Sequence, residues 1–142
     1  MDTTWILVAE GARARILAAL NRTKPPVEIQ AFAYPETRMK EQALHRDRPG
    51  RTFESANESR NTMEPPDTRD QQHHAFARTL TDALEKGRQQ GDFTKLVIIS
   101  PPAFLGALRH NLNGQLDRMV DKTIQKNLVT EDEERIRQYV FD

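Results

Sequence analysis

The sequence predicts a single α/β domain: a mixed five-stranded sheet with helices on its faces. Three observations lead to this fold class. Two short runs of consecutive apolar residues, 5–9 and 96–99, are typical of strands that are buried on both faces. Segments of alternating polarity follow the first run, and segments with helical spacing surround the second. The length of 142 residues fits one domain, which we place over 1–142.

The first part of the chain predicts an antiparallel meander of three strands. A turn at Glu10-Gly11 follows the first apolar run, and alternation over residues 12–20 predicts a half-exposed second strand. A loop with two prolines comes next. Alternation over residues 27–33 then predicts a third strand, which ends at Pro35 because proline cannot donate to a central ladder.

A long polar loop, at about residues 36–72, separates the meander from the rest of the chain. A stretch of this length with so few apolar residues is usually functional or disordered. Residues 38–51 carry five cations against two carboxylates, whereas residues 54–70 carry two cations against five. Two interpretations stand: a solvated loop whose halves attract each other, and a basic arm that contacts an external anion.

Helical spacing resumes after this loop. Phe76 and Leu80 share one face of a helix that Asp67 or Asp70 would cap and that Gly91 would end. The second apolar run follows as an interior strand. Helices precede and follow this strand, and such crossovers late in the chain imply parallel pairing.

The remainder predicts two helices, an edge strand and a final helix. A helix opens at Pro101-Pro102 and breaks near Asn113, which we expect to cap a second, short helix. Residues 122–129 are expected to form the edge strand, and Thr130 to cap the last helix. Parallel pairing late in the chain and antiparallel pairing early in the chain make the sheet mixed.

Composition argues against several kinds of site. The chain has no cysteine, which excludes disulfides, thiolate zinc sites and cysteine catalysis. His73 and His74 are neighbours, about 100° apart around a helix, and neither His-Glu-x-x-His nor Gly-x-Ser-x-Gly occurs. We therefore expect no metal ion, no other cofactor and no catalytic residue.

Trp5 and Phe104 lie among apolar residues, which predicts that they belong to the core.

Location is predicted from the hydropathy pattern. No apolar run approaches the length of a membrane span, and no basic stretch followed by an apolar one stands at the N-terminus. We expect a cytoplasmic protein with no membrane contact. The net charge of zero argues against a bulk binder of polyanions and leaves local basic patches open.

Phosphate binding is the chemistry that the polar loop favours most. Arg48-Pro49-Gly50-Arg51 places a turn glycine between two guanidinium groups, which are forked donors for phosphate, and glycine lets backbone N–H groups form an anion-binding nest. The predicted nucleic-acid or anion contacts are Arg13, Arg15, Arg38, Lys40, Arg46, Arg48, Gly50 and Arg51. For the first two, the alternative is pairing across strands to Glu28 or Gln30.

Several segments together carry a family resemblance that covers nearly the whole chain. They resemble bacterial proteins called host attachment proteins, or proteins required for attachment to host cells. The matching pieces are the segment 5–16, which begins Trp5-Ile6-Leu7-Val8-Ala9-Glu10-Gly11, the loop segment 47–55 with Arg48-Pro49-Gly50-Arg51, Met63-Glu64-Pro65, the segment 96–106 with Ser100-Pro101-Pro102, and Lys126-Asn127-Leu128-Val129.

This family is similar in its order of elements to the middle domain of archaeal and eukaryotic peptide release factors. That resemblance implies a ribonuclease H-like sheet. In release factors the loop after the third strand carries a Gly-Gly-Gln tripeptide that enters the ribosomal peptidyl-transferase centre. The loop of this chain has no Gly-Gly-Gln and holds Arg48-Pro49-Gly50-Arg51 instead. The resemblance therefore implies a ribosome or a structured RNA as partner, without peptide release.

Three functions compete at this point. The first is a non-enzymatic binding module that contacts RNA or the ribosome through the basic loop. The second is a surface or secreted factor needed for attachment to host cells. The third is a release-factor-like hydrolase, which requires acidic residues at the ends of the central strands, where Glu10 alone is plainly placed.

Overall fold

The structure is a computed structural model that describes residues 2–34 and 67–142. Strands and helices alternate after an initial meander. In chain order they are β1 (Thr4–Ala9), β2 (Arg13–Ala19), β3 (Val27–Ala33), α1 (Asp67–Gln89), β4 (Lys95–Ile99), α2 (Pro102–Asn111), α3 (Gly114–Met119), β5 (Val120–Ile124) and α4 (Glu133–Phe141).

The strands form one five-stranded sheet in the order β3-β2-β1-β4-β5. β1 pairs with β2 and β2 with β3 in antiparallel fashion, whereas β1 pairs with β4 and β4 with β5 in parallel. The predicted α/β class and the mixed five-stranded sheet are therefore confirmed. The ribonuclease H-like name stays a prediction.

Helices cover both faces of the sheet, and the alternation of side chains along β1 shows how. Trp5 and Leu7 point into a cluster with Leu80 of α1 and Phe104 of α2, whereas Ile6 joins the cluster on the other face, with Ile136 and Val140 of α4. Trp5 and Phe104 are buried, which confirms them as core aromatics. Neither α1 nor any other helix of residues 2–34 and 67–142 has the length and hydropathy of a membrane span.

The expectation of a half-exposed second strand is wrong. Leu17 and Ala19, on the face that Arg13 and Arg15 begin, are buried in the same cluster as Ile136 of α4. The final helix closes this face, so only the start of β2 keeps a polar side. Alternation along a strand reports the chemistry of each face and leaves open what covers it.

β3 lies at the edge of the sheet. Val27 and Ile29 are 64% and 44% exposed, and Phe32 packs against the cluster that contains α1 and α2. The pairing with β2 shifts register between Ile16 and Leu17, which marks an irregularity of the β-bulge kind. The apolar residues of the third strand therefore contribute little to the core.

Two predicted boundaries near the C-terminus are wrong. The edge strand ends at Ile124, and Leu128 and Val129 are buried from the connection that follows it. The last helix is capped by Asp132 in place of Thr130, because the Asp132 carboxylate accepts a hydrogen bond from the Arg135 N–H at 2.8 Å.

Other local predictions are confirmed. Asn113 caps α3, where its Oδ1 accepts from the Leu116 N–H at 2.7 Å. Gly91 follows the end of α1 with a φ of 74°, a conformation that favours glycine. Two predictions at the start of α1 are wrong: Asp70 lies inside the helix and does not cap it, and residues 67–72 are helical where we expected a loop.

Candidate functional site

The candidate site lies at the edge of the sheet where the parallel strands β1, β4 and β5 end. It consists of the turn 10–12, the Ser100-Pro101 pair and the connection 125–127, and we call it the carboxyl edge. In open α/β sheets, ligands commonly bind outside the carboxyl ends of the strands. The carboxyl edge is therefore the candidate ligand-binding site of this fold.

Both flanks of the segment 35–66 are held at the carboxyl edge. The Tyr34 N–H donates to the Ala12 carbonyl at 2.9 Å, and the Tyr34 ring lies 5.7 Å from the Phe76 ring between centroids. On the other flank, His73 of α1 lies over Gly11. The described chain leaves the sheet at Tyr34 and resumes at Asp67, and α1 passes the same turn at His73.

Glu10 connects the turn 10–12 to the connection that follows β5. Its Oε2 accepts from Arg13 Nε at 2.6 Å, and its Oε1 accepts from Asn127 Nδ2 at 3.2 Å. Both carboxylate oxygens are thus engaged by neighbours in the fold. This arrangement supports a structural role for the acidic residue on which the hydrolase hypothesis depends.

Arg15 is the most heavily engaged of the predicted anion contacts. Its Nε donates to Glu28 at 2.6 Å, Nη1 donates to the carbonyls of Val129 and Glu131 at 3.0 and 2.7 Å, and Nη2 pairs with Glu133 at 3.1 Å. Its side chain is 15% exposed. The pairing with Glu28 matches the alternative interpretation of this residue, and most of its five donors are used within the fold.

Arg13 differs from Arg15 in its exposure. Its side chain is 49% exposed, and its one ion pair among the described residues is with Glu10. The guanidinium therefore reaches solvent at the carboxyl edge. The other predicted contacts, Arg38, Lys40, Arg46, Arg48, Gly50 and Arg51, lie outside the described residues and stay predictions.

His73 is a feature of the edge that the sequence analysis missed. A β-carbon on Gly11 would lie 2.8 Å from His73 Nε2, so glycine alone permits this approach. The ring also makes a T-shaped contact with Phe104, at 5.3 Å between centroids. Burial, followed by the charge of Arg69, lowers the pKa of His73, although Asp70 acts in the opposite direction. The available signal was helical spacing, since His73 lies three residues before Phe76.

His74 points to the other side of α1. Its Nδ1 lies 3.2 Å from Asn111 Nδ2, and its ring contacts that of His110 at 5.1 Å between centroids. Within residues 2–34 and 67–142, no three histidine or acidic side chains are placed to hold a metal ion. The two neighbouring histidines thus have separate surroundings.

The family is decided by comparison with known proteins. The model of a family described as "Protein required for attachment to host cells" matches residues 5–140. This chain belongs to that family. An uncharacterised protein of Rickettsia prowazekii is 32% identical over 110 residues, an alignment that covers 73% of this chain and 66% of that protein. The chain therefore spans slightly less than two thirds of the length of that protein.

One solved structure is also similar to this chain. The crystal structure of an archaeal translation termination factor is similar over 97% of the chain, with 12% sequence identity and a TM-score of 0.49. The chain spans 35% of the length of that factor.

Proposed function

We propose that this protein is a non-enzymatic binding module of the host attachment family that contacts RNA through the segment joining β3 to α1. The observation that carries the proposal is the anchoring of both flanks of that segment at the carboxyl edge. Tyr34 is bonded to Ala12 on one flank, and His73 lies over Gly11 on the other. The proposal places the protein in the cytoplasm, with the ribosome as the RNA-bearing partner.

The charge of the segment supports a phosphate ligand. Its first half concentrates cations, and Arg13 adds a half-exposed guanidinium at the edge to which the segment is anchored. Arginine matches phosphate with forked donors, and a segment held at both ends loses less entropy on binding than a free tail. The cations proposed to contact phosphate are Arg38, Lys40, Arg46, Arg48 and Arg51.

A salt titration of RNA binding tests this proposal. Fluorescence anisotropy with a labelled oligouridine of about 20 nucleotides is measured for the wild type and for Arg48→Ala/Arg51→Ala. Each phosphate contact to a single strand contributes a salt slope of about 0.7, so the variant is expected to lose about 1.4. Lys24→Ala/Lys86→Ala, which makes the same change in net charge at two exposed residues, is expected to bind as the wild type does.

Two results would contradict the proposal. One is a wild-type protein that does not bind the RNA, and the other is an Arg48→Ala/Arg51→Ala variant with unchanged affinity and salt slope. Cosedimentation of the same variants with purified ribosomes then decides whether the ribosome is the partner.

The description of the family favours a second candidate function, direct attachment to a host cell. In that case the protein acts at the bacterial surface or after secretion. Fractionation of cells with an antibody against the protein separates the two proposals. A signal confined to the cytosolic fraction contradicts direct attachment, and a signal at the surface contradicts the cytoplasmic location.

A further inference from the structure

On one flank of α4, two arginines are paired with carboxylates. On the flank towards β2, Arg137 is bridged to Glu134 at 2.8 Å and to Asp142 at 3.2 Å, and Arg15 of β2 is bridged to Glu133 at 3.1 Å. The hydrogen bond from Arg137 also lowers the pKa of Glu134. Arg137 and Arg15 therefore have acidic partners, whereas Arg22, on the same flank, contacts the carbonyl and the ring of Phe141.

The flank towards β5 carries cations without such partners. Lys126 Nζ lies 5.8 Å from the centroid of the Tyr139 ring, and Arg135 Cζ lies 5.4 Å from it. Lys122 of β5 donates to the Val140 carbonyl at 2.7 Å. Among the described residues, none of these three cations forms an ion pair with a carboxylate. We call Lys122, Lys126, Arg135 and Tyr139 the Tyr139 patch.

The cations of the Tyr139 patch stay available to an external anion although they contact the ring. A cation–π contact at an exposed position contributes about 0.5–1 kcal/mol and leaves most of the donors of the cation in water. Lys126 and Arg135 are both exposed, and Tyr139 is half-buried against the cluster around Ile136. The patch is thus a fixed aromatic ring with two positive side chains that are open to an external anion.

The position of the patch links it to the carboxyl edge. Asn127, next to Lys126, donates to Glu10 at 3.2 Å, so the connection after β5 joins the two surfaces. A nucleic-acid strand that contacts the carboxyl edge could continue over this connection, since its phosphates repeat at every nucleotide.

We infer that the Tyr139 patch is a second contact surface for single-stranded RNA, in which Lys126 and Arg135 bind phosphates beside the Tyr139 ring. Proteins that bind single strands combine cations along the backbone with aromatic rings for the bases, which is the combination present here. An acidic protein surface would bind through the cations alone, so the aromatic ring favours RNA as the ligand. The inference rests on the proposed function, from which it takes RNA as the ligand. Its binding site consists of different residues.

The test uses the full chain and the labelled oligouridine described above. Lys126→Gln/Arg135→Gln is expected to lose about 10-fold or more in affinity at about 0.1 M salt and about 1.4 in salt slope, which corresponds to two phosphate contacts. Lys24→Gln/Lys86→Gln is the control with the same net charge, and it is expected to bind as the wild type does. Lys126→Gln alone, which leaves α4 untouched, is expected to show part of the loss.

The outcomes separate this inference from the proposed function. Wild-type affinity in Lys126→Gln/Arg135→Gln overturns the inference, and the proposed function then stands on Arg48 and Arg51. A loss in that variant with no loss in Arg48→Ala/Arg51→Ala supports the patch and contradicts the proposed loop contacts. Absence of RNA binding by the wild type overturns both. Binding of labelled polyglutamate as tightly as RNA also overturns the inference, in favour of an acidic protein partner.

Discussion

Gly87 lies directly against the indole of Trp5. A β-carbon on Gly87 would come within 2.4 Å of Trp5 Cη2 and within 3.2 Å of Phe93 Cε1. Trp5 and Phe93 stack on each other, at 4.6 Å between centroids and 25° between planes. This contact joins the end of α1 to the start of β1, and it requires a residue without a side chain.

Gly87→Ala is expected to destabilise the protein by about 1–3 kcal/mol, because the added methyl group forces buried rings to move. Gly106→Ala is the matched control. A β-carbon on Gly106 meets nothing within 4 Å, so alanine there is expected to stabilise α2 by up to about 1 kcal/mol through helix propensity. Urea unfolding of both variants checks the prediction, and equal effects of the two substitutions would show it to be wrong.

Arg15→Met is expected to cost about 1–3 kcal/mol of unfolding free energy. The substitution leaves the carbonyls of Val129 and Glu131 and the carboxylate of Glu28 without their donor, in a half-buried setting. Arg13→Met removes a more exposed arginine with one acidic partner, and it is expected to cost less than about 1 kcal/mol. Thermal and urea unfolding compare the two variants, and the reverse order would contradict the structural role of Arg15.

Stability is expected to decrease as pH falls below 6.5, the ordinary pKa of histidine, because the pKa of His73 is lowered in the folded protein. The unfolded chain then takes up a proton before the folded protein does, so protonation favours unfolding. His73→Gln is expected to flatten the stability profile between about pH 7 and pH 5. If the stability of His73→Gln has the same pH dependence as that of the wild type, His73 is not the cause of the loss of stability.

Asn113→Asp separates the two roles of Asn113. The residue caps α3 through Oδ1 and donates through Nδ2 to Glu85 Oε1 at 3.0 Å. Hydrogen bonds, first from Arg88 and then from Asn113, lower the pKa of Glu85 to about 2. The substitution keeps the cap and turns the second contact into a repulsion between carboxylates.

We expect Asn113→Asp to be less stable than Asn113→Ser at neutral pH, since serine also caps a helix and brings no charge. The difference is expected to narrow as pH falls towards the pKa values of carboxyl groups, because protonation removes the repulsion. The wild type also loses stability in this range. The lowered pKa of Glu85 stabilises the folded protein above pH 4.5, and this stabilisation is lost as the pH falls towards 2. Unfolding curves at several pH values check this, and a pH-independent difference would contradict it.

Local patterns were sufficient for the central elements. The apolar runs predicted β1 and β4 because strands buried on both faces need apolar residues at every position. Asn113 was recognised because a capping side chain bonds to a backbone N–H three residues away. The prolines at the start of α2 were recognised because proline is tolerated in the first turn of a helix. Thr130 misled the prediction at the last helix, since threonine and aspartate are both good caps and Asp132 makes the bond.

The sequence by itself determined the sheet-forming runs, three helix boundaries and the resemblance to the host attachment family. The tertiary structure alone decided the distant partners of Arg15, which lie 114 to 118 positions further along the chain. It also decided the position of His73 over Gly11 and, within the described residues, the absence of an ion pair between a carboxylate and Lys126 or Arg135. The physical reason is distance along the chain. Periodicity and capping act over a few residues, whereas burial and charge neutralisation depend on segments that only the folded sheet brings together.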